Sequence, residues 1–438
     1  MVKYLSYQLH NYISVKGIDR LTATDRRAIE ITGQVLPFKV NNYVTEQLID
    51  WDNIPEDPIF TLCFPRKEML QTHHFEQVER LMDAGANMDK LKKTVDIIRK
   101  ELNPHPSGQH LNVPQMDDIK LNGIQHKYKT TVLFFPSQGQ TCHAYCTFCF
   151  RWSQFSGMDG MRFAMKEADL LVKYLQQHRE VTDVLFTGGD PLTMSASCLS
   201  GYVDALLHND LNHIQTIRFG SKALAYWPYR FLSDPDSDGL LRVFDKIVQS
   251  GKSLAVMAHF NHPRELSTNA VQEAIRRIRS TGAIIRTQSP LLNHINNDPA
   301  VWAEMWRSQV NLNCIPYYMF VSRDTGAKEF FSIPLSDCWD VFRKACGQVS
   351  GLCCTVRGPS MSATPGKIQI LGVNEELGEK VFVLRFLQGR NPAWVHRPFF
   401  AKYDPKATWF DMLKPAFGKE KFFFEEEMCN NNDCVIRK

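Results

Sequence analysis

Short apolar runs alternate with longer amphipathic stretches from about residue 125 to 370. "TTVLFF", "VTDVLFTGG", "IQTIRFGS", "SLAVMAHF", "GAIIRTQS", "CIPYYMFV" and "LCCTVRG" read as strands. Between them "EADLLVKYLQQH", "LLRVFDKIVQSG" and "NAVQEAIRRIRSTG" read as helices, the last two with glycine in a C-cap position. Repeated β-α units predict an α/β fold with a parallel sheet, curved into a partial or full (β/α) barrel. Residues 1–115 read as a mainly helical N-terminal region, closed by the Pro/Gly/His break "NPHPSGQH" at 103–110. Residues 116–370 form the barrel, and 371–438 an irregular, aromatic-rich C-terminal extension that covers the barrel or meets another subunit.

Barrel enzymes place their chemistry where strands end, and the polar residues here follow that rule. Gly188, Gly189 and Asp190 follow one predicted strand; Gly220, Ser221 and Lys222 the next. His259, Asn261 and His262, then Gln288 and Ser289, end two more, and Cys142, Cys146 and Cys149 follow the first. One rim and one site are expected.

Charge narrows the partners. With 51 basic and 47 acidic residues the formal charge is +4, and no block of Lys or Arg favours nucleic acid or a membrane surface. No apolar run approaches the ~18 residues of a membrane span, and the N-terminus lacks a signal-peptide pattern, so a cytoplasmic protein acting on a small molecule is expected. Twelve cysteines in a reducing compartment point to ligation rather than disulfides. The pair Cys429 and Cys434 in "CNNNDC" fits no common zinc spacing.

"TCHAYCTFCFRW" puts Cys142, Cys146 and Cys149 in one loop. Zinc would need a fourth ligand, such as His143, from the same short turn. A [4Fe-4S] cluster on three thiolates leaves one iron open to an exogenous ligand. Cys-x3-Cys-x2-Cys with Phe148 before the last cysteine resembles the radical S-adenosylmethionine (SAM) superfamily, in which SAM takes that iron and yields a 5′-deoxyadenosyl radical. "FTGGDPL" at 186–192 is similar to that superfamily's Gly-Gly-acid segment, where exposed backbone meets the SAM amino group.

Four further stretches resemble the lysine 2,3-aminomutase family: "IRFGSKALAYWPYRF", "AHFNHPRE", "RTQSPLLNHINND" and "IPYYMFVSRDTG". The resemblance implies pyridoxal phosphate (PLP) on Lys367 as the Schiff-base lysine, with Gln288 and Ser289 near the cofactor. It further implies Gly188, Gly189, Asp190, Ser221, His259 and Arg151 at the SAM and PLP site. It also implies an amino-acid substrate, an electron donor such as flavodoxin or ferredoxin, and association into a homo-oligomer.

The departures bear on cofactor and substrate. "SMSATPGKIQI" has one glycine before Lys367 where the family has several, and Lys127 and Lys129 stand near the family's arginine pair. Where lysine-specific members hold two aspartates for the substrate's distant ammonium, this chain has Arg323 and Ser360, although Asp324 is one residue away. Arg323 suits a carboxylate or another acceptor, so the expectation is a 2,3-aminomutase for a non-lysine α-amino acid. Tyr317 and Tyr318 read as strand core, with lining of the substrate pocket as the alternative. The alternatives are a PLP-independent radical SAM enzyme acting on an amino acid or peptide derivative, and a non-catalytic iron-sulfur or zinc protein.

Overall fold

Seven parallel strands run side by side in chain order through the centre of the molecule. The computed structural model describes residues 2–103, 110–158, 161, 163–208 and 210–430. Most of the predicted break at 103–110 lies outside these residues, as do Cys434 and the side chain of Cys429. Ile124–Tyr128 (β1) pairs antiparallel with Thr131–Phe134 (β2). From β2 the parallel series continues through Asp183–Phe186 (β3), Thr216–Ser221 (β4), Ser253–His259 (β5), Ile284–Leu291 (β6), Ile315–Val321 (β7) and Arg357–Ser362 (β8).

Helices cross from strand to strand as the sequence pattern requires. They include Ala168–Gln177 (α1), Ala196–His208 (α2), Ser237–Gln249 (α3), Asn269–Ser280 (α4), Pro299–Asn311 (α5) and Leu335–Cys346 (α6). Thr268 caps α4 by accepting from the Val271 amide, while Gly251 and Gly282 follow α3 and α4 at φ of 84° and 81°, the left-handed conformation glycine takes at low cost.

Strand parity builds the interior. Along β6, Ile285, Thr287, Ser289 and Leu291 are buried on the helix side, whereas Arg286, Gln288 and Pro290 line a cavity. Residues of all eight strands line that cavity, so the sheet is curled around it. Among the described residues the strands do not pair into a closed ring. Side chains bridge the opening instead: Lys127 of β1 donates to the Ala363 carbonyl just beyond β8, and Arg390 donates to Thr364 and Asn112. The architecture is a partial barrel.

The C-terminal segment is more regular than its aromatic sequence suggests. Gly366–Glu376 (β9), Glu379–Gly389 (β10) and Pro398–Lys402 (β11) add antiparallel strands to the same eleven-stranded sheet. The boundary at 370 therefore falls inside β9. Phe399, Phe422 and Phe424 form a buried aromatic cluster behind β10 and β11. Among the described residues no helix is long and apolar enough to cross a membrane.

Candidate active site

The cysteine loop lies at the C-terminal end of β2, clamped by backbone bonds from the N-terminal region. Lys39 donates its Nζ to the Cys142 carbonyl at 2.8 Å and accepts from the Tyr145 amide, while Leu62 accepts from the Thr147 amide. Tyr4 and Asn41 both donate to the His143 carbonyl. These residues lie some eighty or more positions upstream, and nothing in their local sequence marks them. The helical N-terminal region is thus part of the site.

Cys142, Cys146 and Cys149 all line the cavity. Burial pushes all three thiols up, and the neighbouring thiols and Asp190 add to the effect at Cys142. The three thiols converge on one cavity, a donor set of the kind that iron-sulfur or zinc ligation uses. His143 lines the cavity beside them; burial lowers its pKa to about 3, and its Nδ1 is buried without a partner.

Gly188, Gly189 and Asp190 form the next turn of the rim. Gly188 has φ of 136°, and an added Cβ on Gly189 would meet the Thr141 backbone at 2.4 Å. The turn touches the cysteine loop with no room for a side chain. Asp190 is buried, and its carboxylate accepts from the Leu192 amide, the Lys222 amide and the Ser221 hydroxyl. Burial raises the Asp190 pKa, and these bonds oppose that rise. Arg151 reaches back from the cysteine loop, donating to the Gly188 carbonyl at 3.3 Å over the rings of Phe135 and Phe150; burial lowers its pKa to about 10.

The His-Phe-Asn-His-Pro block is held by a residue that the sequence analysis placed only at the rim. Lys222 donates to Asn261 Oδ1 at 2.8 Å and to Glu265 at 2.7 Å, and Glu265 in turn accepts from the amides of Asn261 and His262. Fixed this way, His259 lines the cavity edge-on to Phe148, neutral by burial, with Nε2 buried and unpartnered. Gln288 also lines the cavity, whereas Ser289, expected beside it, does not. The two-residue period of β6 turns Ser289 to the helix side, where it accepts from Asn261 at 2.9 Å.

Lys367 projects into the same cavity, of about 730 Å³. It stands on a strand, paired with Ser362 and Gln388, and its amine lies 4.0 Å from the Tyr318 ring centroid. Burial lowers its pKa to about 7. Arg323 and Ser360 line the cavity too; Arg323 donates to the Ser362 carbonyl at 3.0 Å, and its Nε is buried without a partner. Asp324 does not line the cavity. Lys127 lines it but is spent on Ala363, and Lys129 is exposed outside it. Tyr317 and Tyr318 both line the cavity, and Tyr318 is also buried.

Comparison with known proteins gives this arrangement its context. No family model matches the chain. It is 31% identical over 405 residues to a "Putative L-lysine 2,3-aminomutase" of Aquifex aeolicus (strain VF5), covering 92% of this chain and 95% of that protein. It is 26% identical over 350 residues to the "Glutamate 2,3-aminomutase" of Clostridioides difficile (strain 630), covering 80% and 71%. A radical SAM methyltransferase from Sphaerobacter thermophilus aligns over 65% of this chain and 93% of its own, with 16% identity and a TM-score of 0.38. The class is that of the 2,3-aminomutases. Within it, the chain belongs to the lysine 2,3-aminomutase family.

Proposed function

We propose that this chain is a SAM- and PLP-dependent 2,3-aminomutase for an α-amino acid whose side chain does not end in an ammonium group. The observation that carries the substrate reading is the charge of the cavity wall. Arg151, Arg286, Arg323, Arg357 and Lys367 face it, and its two lining carboxylates are already committed: Asp183 to Arg218 and Thr131, Asp190 to Ser221 and two amides. Among the described residues a second ammonium in this space would meet no uncommitted carboxylate, at a cost on the order of several kcal/mol expected for an unpaired buried ion.

The residues fit the cofactors that the family implies. Three thiols on one cavity, with Arg151 beside them and the close Gly188–Gly189 backbone, suit a [4Fe-4S] cluster with SAM on its open iron. A buried amine with pKa lowered to about 7 suits attachment of the PLP aldehyde, because the neutral amine is the nucleophile. When bound, the cluster and SAM supply a 5′-deoxyadenosyl radical, and PLP supplies a π-system that carries the migrating nitrogen. The chain's own part is to hold Lys367 neutral, to keep Gln288 and His259 facing the cavity, and to screen the space from water with Phe148, Phe150 and Tyr318.

The test is anaerobic reconstitution with iron, sulfide, SAM and PLP, then borohydride reduction, peptide mapping and a panel of amino acids. A reduced adduct on Lys367, and β-amino acid from an acidic or neutral substrate rather than lysine, is the expected result. Rapid conversion of L-lysine to β-lysine would overturn the substrate reading. SAM cleavage without any adduct at Lys367 would favour the PLP-independent enzyme.

A further inference from the structure

Two guanidinium groups in the cavity have no acid to pair with among the described residues. Arg286 of β6 and Arg357 of β8 both lie over the Tyr317 ring of β7, at 4.9 and 4.8 Å from its centroid. Arg357 also donates to the Tyr318 hydroxyl at 3.4 Å. Among the described residues neither forms a salt bridge, whereas the third arginine of this wall, Arg218, is taken up by Asp183. β6 and β8 flank β7 directly, so Arg286, Tyr317 and Arg357 make one continuous strip.

The strip adjoins Lys367. The Lys367 amine sits over Tyr318, the residue next to Tyr317 and in register with Arg357. Arg286 is half-buried and Arg357, at the start of its strand, is exposed, so both keep their charge while facing the cavity, and the planar fork of a guanidinium matches phosphate oxygens in pairs. The lysines near the family's arginine pair cannot do this work, since Lys127 is held by a carbonyl and Lys129 lies outside the cavity. We propose that Arg286 and Arg357 form the seat of a phosphate group, that of PLP attached at Lys367. This rests on the PLP reading above and assigns its phosphate to two of the arginines counted there in the cavity wall.

The test compares PLP with pyridoxal, which has the same aldehyde and no phosphate, by absorbance titration of the full-length, cluster-reconstituted protein. Arg286→Gln and Arg357→Gln should each weaken PLP binding about ten- to hundredfold, the scale of a lost charged hydrogen bond, and leave pyridoxal binding unchanged. Unchanged pyridoxal binding also reports an intact fold. Arg286→Lys and Arg357→Lys should recover part of the loss, and inorganic phosphate should compete with PLP in the parent but not in the double Gln variant.

PLP binding unaltered in both Gln variants, with the borohydride adduct still on Lys367, would overturn the seat and leave the PLP reading standing. Equal losses for PLP and pyridoxal would also overturn it, because the arginines would then act through structure rather than on phosphate. No adduct on Lys367 in the parent protein would remove both readings together.

Discussion

Lys367 carries its amine 4.0 Å above the Tyr318 ring centroid, a contact that favours the ammonium form, yet the pKa is lowered to about 7. Burial is the largest cause; the field of Tyr317 opposes it, and Arg218 and Arg357 reinforce it. Desolvation therefore outweighs the ring. The neutral amine that the proposed attachment chemistry needs is available near neutral pH.

That shift has a stability signature. Between about pH 7 and the ordinary lysine value of 10.5, the unfolded chain holds a proton on Lys367 that the folded chain has released. Stability of the PLP-free protein should then rise with pH through this window. Lys367→Met removes the contribution, so the variant should be the more stable protein at pH 7 and the two should converge towards pH 10. Urea unfolding across that range checks it, and parallel curves would show that Lys367 is not the group titrating.

Gly189 is where the two cofactor loops press together. A Cβ there meets Thr141 backbone atoms at 2.4 and 2.5 Å, and backbone cannot yield as a flexible side chain can. Gly189→Ala should displace the cysteine loop and lower the iron and sulfide content after reconstitution. Gly201, inside α2 with nothing within 4 Å of its added Cβ, is the control, and Gly201→Ala should be neutral or stabilising by up to about 1 kcal/mol. Equal iron loading in both variants would remove steric closeness as the reason for glycine at 189.

The Lys222–Glu265 pair secures the rim block. Glu265 has no exposed surface, and its carboxylate meets Lys222 at 2.7 Å as well as two amides. Lys222→Met leaves a buried carboxylate without its cation and should destabilise the protein by about 3–5 kcal/mol. Adding Glu265→Gln should restore part of that loss. A double-mutant cycle by denaturant unfolding measures the coupling, and additive effects would mean that the pair does not hold His259 in place.

The sequence makes the strand-end residues legible because barrels put chemistry where strands stop. The three cysteines, Asp190, His259 and Lys367 stand out this way or through family resemblance, and all line one cavity. Gly251 and Gly282 were readable as helix ends because only their positive φ made glycine worth placing there. Ser289 faces away from the cavity that Gln288 lines, since a two-residue period sends neighbours to opposite faces. Arg286 and Arg357 escaped notice because a charged residue within a strand reads as a solvated face until the sheet curls. Lys39, Asn41 and Leu62 escaped because their partners are some eighty or more residues away.

Arg323 offers the sharpest test of substrate class. Its guanidinium is wedged between the Phe150 and Trp409 rings, one arm donates to Ser362, and Nε is buried with nothing to donate to. A buried donor without a partner costs about 1–3 kcal/mol, a debt that a substrate acceptor would cancel. For a substrate ending in a carboxylate, Arg323→Gln should raise KM about ten- to hundredfold with a smaller change in kcat, the pattern of lost ground-state binding. Arg323→Asp combined with Ser360→Asp would place two acids where the family resemblance implies them for a lysine substrate, and should bring slow turnover of L-lysine. Chromatography of the β-amino acid products with SAM-cleavage controls decides the matter: lysine turnover by the parent chain, or an unchanged KM in Arg323→Gln, would mean that the arginine packs against the tail and does not read the substrate.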